Sequence, residues 1–129
     1  MKLLDKDVEQ QEIARWLSMA RVAVGAVLFF FPGLSALMWT GERPGSAIGR
    51  MSIRGLGARD VAIGAGTIIA LDEDGPVESW LQAGMLADAS DAVAALAAPH
   101  LKTWRRLGLV ALSGASVYVG LVASGAVEE

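Results

Sequence analysis

Long apolar runs alternate along this chain with short polar turns. The first, VAVGAVLFFFPGLSALMW, holds no charge, and helix can extend back through Arg15 to Arg21. A second run, 51–71, reaches full length only by including Arg54, Arg59 and Asp60, and a third, 78–99, contains Asp88 and Asp91. The fourth, 105–127, is uncharged from Leu107 onward. A bilayer-crossing helix takes roughly 20 mostly apolar residues at ~1.5 Å each. Turn signals separate the runs: Gly41, Pro44 and Gly45, then DEDGP from Asp72, then the segment from Pro99 to Arg106. The pattern predicts an all-α membrane protein of one domain. Its four-transmembrane-helix bundle spans 15–39, 51–71, 78–99 and 105–127, behind a short amphipathic lead-in from Leu3 to Trp16. Pro32, inside the first run, leaves two readings open: a kink within one span, or a helix that ends near Phe31 followed by a segment along the interface.

Composition strengthens the membrane reading. Of 129 residues, 53% are hydrophobic and only 19% charged, where soluble domains carry about a quarter. Mean hydropathy is +0.46. Trp16, Trp39, Trp80 and Trp104 fall near the ends of the runs, where an indole places its body in apolar surroundings and its N–H in polar ones. A soluble bundle with buried tryptophans is the alternative, and the uncharged fourth run is hard to hide in so small a domain. The polar, acidic opening is a poor secretory signal. A net charge of −3 without a basic excess argues against nucleic acid. The absence of cysteine removes thiolate ligands and nucleophiles, and His100 is the sole histidine, so no metal site and no cofactor are expected. Arg43, Arg50, Lys102, Arg105 and Arg106 fall in the first and third loops, whereas DEDGP and the VEE tail lack Lys and Arg. The positive-inside rule then places a multi-pass protein in the cytoplasmic membrane with both termini outside.

Charges inside the runs are the candidate chemistry. Gly57, Asp60 and Gly64 share a helix face, and Gly84, Asp88, Asp91 and Ala95 follow a 4-3-4 spacing on another. Small residues let helices approach closely in lipid. Arg59 and Asp88 each lie twelve residues from the turn between the second and third runs, so equal depth pairs them, and Arg54 is matched to Asp91. Asp60 points about 100° from Arg59, which assigns it elsewhere, to Arg21, Ser18 or a serine of the fourth run. Intramembrane ionisable groups default to function. Asp88, Asp91 and Asp60 are therefore the candidate acid/base residues, with Arg59, Arg54, Arg21 and Tyr118 as candidate ligand-binding residues.

Arg21, FPG from Phe31, RGLGARDVAIG from Arg54 and DASDA from Asp88 resemble a family of small four-helix bacterial membrane proteins. That family is common in actinobacteria, catalogued as a domain of unknown function and loosely DoxX-like. The resemblance implies a four-helix fold with a shared polar centre, and no established reaction. Three functions follow as expectations. The first is binding, with or without acid/base transformation, of a lipophilic small molecule among membrane lipids. The second is a non-enzymatic accessory role in a larger membrane complex or homo-oligomer. The third, a small proton-coupled transporter, ranks last because four helices are few for alternating access.

Overall fold

The computed structural model describes residues 2–125; the end of the fourth predicted span and the VEE tail lie outside them. Among the described residues the protein is all-helical: α1 (Lys2–Phe30), α2 (Pro32–Thr40), α3 (Ala47–Asp72), α4 (Val77–Leu96) and α5 (Thr103–Ala123). The amphipathic lead-in is continuous with α1 rather than a separate segment. Of the two readings of Pro32, the structure takes the break. Phe31 leaves helical geometry at φ −125° and ψ 59°, and Pro32 occupies the opening of α2, where its missing N–H costs nothing. Gly41 ends α2 in the left-handed region, at φ 82°, and its N–H donates to the Leu37 carbonyl at 3.0 Å. Ser46 starts α3 by accepting the Gly49 N–H at 3.1 Å.

The four long helices run alternately up and down. α1 packs along α3, α3 along α4, α4 along α5, and α5 closes back on α1, while the short α2 touches α1, α3 and α5 at one end. The α1–α3 seam is backbone against backbone. A Cβ placed on Gly25 would lie 2.6 Å from the Gly57 carbonyl oxygen, one on Gly57 2.7 Å from the Phe29 nitrogen, and one on Gly64 2.6 Å from the Ser18 carbonyl oxygen. Glycine is required there because any side chain would force the helices apart.

Small and polar residues fill the interior. Ala14, Ala36, Ala70, Ala87, Ala95 and Ala123 are buried with Ser18, Ser35, Thr67, Asp60 and Asp88, and Leu81 is the largest buried apolar side chain. The large apolar residues face outward, with Ile48 76% and Leu86 73% exposed alongside Trp16, Phe30, Met38, Val93 and Trp104. Two helical segments are long and apolar enough to cross a membrane, Asp5–Phe30 and Thr103–Ala123, each with hydropathy 1.6. The predicted second and third spans, now α3 and α4, are not among them, because both carry interior charges.

Candidate functional site

Three helices bring small and charged residues to one interior line. On α1 the buried Ala14 and Ser18, then Arg21 and the buried Gly25, repeat at 4-3-4 intervals. On α3 the buried positions are Gly57, Asp60, Gly64, Thr67 and Ala70. On α4, Gly84 and Asp88 are buried, followed by Asp91 and the buried Ala95. Gly84 makes room for the arginine of α1, since a Cβ there would lie 3.3 Å from Arg21 Nη2.

The charges form a single chain, Asp88–Arg21–Asp60–Arg59–Asp91. Arg21 donates from Nη2 to Asp88 Oδ2 at 2.5 Å and from Nη1 to Asp60 Oδ1 at 3.3 Å, tying α1 to both α3 and α4. Arg59 grips Asp91 with two parallel bonds, Nη1 to Oδ1 at 3.0 Å and Nη2 to Oδ2 at 2.8 Å. Its Nε and Nη2 also reach Asp60 Oδ1, at 3.3 and 3.1 Å. Two permanently cationic guanidiniums thus serve three carboxylates.

Several pairings differ from those predicted. Asp88 is held by Arg21 rather than Arg59, and Arg59 takes Asp91. Helical side chains lean toward the N-terminus of their own helix. On α3 that direction leads away from the α3–α4 turn, so Arg59 meets the carboxylate one turn further from it, ~4.5 Å beyond Asp88. Arg59 and Asp60 do share a contact. The 100° offset describes the Cα–Cβ bonds, and the long arginine folds back across it. Arg54 has no part in the centre, and its Nε donates to the Phe29 carbonyl at 3.2 Å, beside the α1–α2 break. Tyr118 is 53% exposed and makes no hydrogen bond to the centre. Arg21 as the partner of Asp60 agrees with one of the three alternatives. The Arg21–Asp88 pair was missed, although the 4-3-4 stripe of α1, identical in spacing to that of α4, signals it.

Beside Arg21 and Asp88 lies a cavity of about 10 Å³, also lined by Ser18, Thr67, Trp80 and Ser116. That is room for about one water molecule. Two of its hydroxyls are already committed to backbone carbonyls, Ser18 to Ala14 at 2.6 Å and Thr67 to Ile63 at 2.8 Å. Trp80 lines the space and lies against Gly66, where a Cβ would sit 2.6 Å from the ring. Asp91 has both oxygens engaged, and Asp60 and Asp88 each have one. At Asp91 acid/base chemistry requires an arginine to be displaced first, whereas Asp60 Oδ2 and Asp88 Oδ1 stay outside these bonds. Among the described residues, no three His, Cys, Asp or Glu side chains converge on a potential metal position.

No protein-family model, curated protein or solved structure matches this chain.

Proposed function

We propose that this is a small integral membrane protein that crosses the bilayer four times and acts by assembly with other membrane components rather than by catalysis. The inverted distribution of side chains supports the membrane part. Small and charged groups lie inside and large apolar ones outside, where exposed apolar patches on soluble monomers seldom exceed a few hundred Å². In this reading α3 and α4 are spans whose charges are neutralised internally, since a lone charge in hydrocarbon costs several kcal/mol. The basic loops lie on the cytoplasmic side and both termini outside.

The observation that carries the non-catalytic reading is the internal neutralisation of the polar centre. Every carboxylate in it is engaged by a guanidinium, and the adjoining cavity holds about one water. Such a centre fixes helix register and leaves the apolar exterior for lipid or partner helices. Binding of a lipophilic molecule remains the second reading, favoured by one feature: the outer pair is open, with Arg59 28% and Asp91 38% exposed.

Purification from native membranes, followed by native electrophoresis and mass spectrometry, tests the proposal. The expected result is migration as a homo-oligomer or with a defined partner, unaltered by Asp91→Asn. A monomer carrying a stoichiometric lipophilic molecule, lost in Asp91→Asn, replaces the assembly reading with the ligand reading.

A further inference from the structure

Charge is segregated between the two ends of the molecule. Alternate helix directions gather the α1–α2 break, the α2–α3 loop and the α4–α5 loop at one end. Arg43, Arg50, Arg54, Lys102, Arg105 and Arg106 are there, and Glu42 is the sole carboxylate across Phe31–Arg59 and Ala92–Ser124. The opposite end carries Asp5, Asp7, Glu9, Glu12, Asp72, Glu73, Asp74 and Glu78 against Lys6 and Arg15.

The basic end is also apolar. Phe30, Phe31, Leu34 and Met38 are exposed along α2 and the break before it, and Ile48 and Met51 on the first turns of α3 add to them. α2 is fastened in place. Arg105 donates from Nη1 to the Met38 carbonyl at 2.8 Å, while its guanidinium carbon lies 4.4 Å from the Trp104 ring centroid. A Cβ at Gly41 would lie 3.0 Å from Arg105 Nε, so the left-handed glycine that ends α2 also admits this arginine. Arg54 and Arg106 are likewise occupied with backbone carbonyls, of Phe29 and of Ala98 and Leu101. Arg43, Arg50 and Lys102 are exposed, and among the described residues none of them has a carboxylate partner. Arg43 reaches over the start of α2, 3.7 Å from a Cβ at Gly33, and Lys102 precedes α5 beside the Trp104–Arg105 pair.

We infer that the α2 end is a binding surface for anionic phospholipid, an inference that rests on the membrane reading above. The exposed apolar residues of α2 and its flanks meet the acyl chains. Arg43, Arg50 and Lys102 meet phosphate oxygens at headgroup level, an arrangement in which a short apolar helix and a basic rim reinforce each other. Complementarity of charge selects the lipid. An end with six cations and one carboxylate favours an anionic headgroup over a zwitterionic one.

The test is native mass spectrometry of the full chain in detergent, titrated with phosphatidylglycerol or phosphatidylcholine of the same chain length. Preferential retention of phosphatidylglycerol is expected, weakened on the order of five-fold per cation removed in R43Q/R50Q/K102Q. R43K/R50K should keep the preference, because the charge is retained. Equal retention of the two lipids by the unmodified chain overturns the inference, as does an unchanged preference in the triple glutamine variant. Displacement of the lipid by inorganic phosphate beyond that by chloride of matched ionic strength overturns it too, by pointing to a phosphate-ion site. Alkaline carbonate extraction separates the two failures. A chain released from membranes defeats the membrane reading itself, whereas a retained chain without lipid preference defeats only the headgroup site.

Discussion

Arg21 and Arg59 perform the same pairing in different surroundings. The Arg21 side chain is 9% exposed and joins carboxylates that are 12% and 11% exposed, one on α3 and one on α4. Arg59 is 28% exposed and forks onto Asp91, which is 38% exposed. Arg21 therefore fixes three helices relative to one another, while Arg59 reinforces a contact between two that the α3–α4 turn already holds together. Exposure of the partners, more than the number of bonds, sets what each arginine is worth. A deeply placed charge cannot recover solvation when its partner is removed.

The largest expected effect is that of Arg21→Gln. It leaves Asp88 without its guanidinium and Asp60 with Arg59 alone, so the loss should be about 3–5 kcal/mol in a denaturing-detergent titration. Arg21→Lys should fall between the two, since one ammonium cannot bridge Asp60 and Asp88 with the planar fork they now share. If Arg21→Gln melts within a degree or so of the parent chain, burial does not rank the two arginines and the comparison is wrong.

Arg59→Gln comes next, at about 1–2 kcal/mol. Asp91 is open enough to be solvated, and Asp60 keeps Arg21. A double-mutant cycle sharpens the point. Coupling between Arg21 and Asp88 should exceed that between Arg59 and Asp91, even though the latter pair has the two-bond fork. The opposite order would assign the greater structural weight to the outer pair.

Much of this centre was legible in the sequence because charges in apolar helices have few places to go. Arg21, Arg59, Asp60, Asp88 and Asp91 were all marked by their position within apolar runs, and the glycine face of α3 was marked by spacing. The pairings were less legible. Asp88 and Asp91 lie within one helical turn of each other, and an arginine side chain is long enough to reach either from one backbone position. Depth counting fixes the level of a Cα and leaves the lean of the side chain out, so it assigned Arg59 to the wrong carboxylate. Arg54 was matched to Asp91 by the same depth count. Its partner is a carbonyl at the end of α1, exposed to it by a helix break that the sequence left as one of two alternatives. The place of α2 depends on Arg105 reaching the Met38 carbonyl across 67 residues of chain, and local patterning holds no record of such a contact.

The smallest expected effect belongs to a third pair, which isolates burial from bond length. Arg15 Nη2 lies 2.6 Å from Asp72 Oδ1, closer than either bond of the Arg59–Asp91 fork, yet the two side chains are 43% and 57% exposed. This bridge also joins α1 to α3, so it differs from the Arg21–Asp60 link chiefly in its access to solvent. Exposed pairs typically contribute under about 1 kcal/mol, and Arg15→Gln should cost no more than about 0.5. That small loss should shrink further in high salt, because the Debye length is only about 3 Å at 1 M and screening acts on exposed charges. The Arg21→Gln loss should persist under the same conditions. Stability measured at low and high salt for both variants distinguishes the cases: a salt-insensitive loss at Arg15 as large as that at Arg21 would make contact distance, not burial, the governing quantity in this molecule.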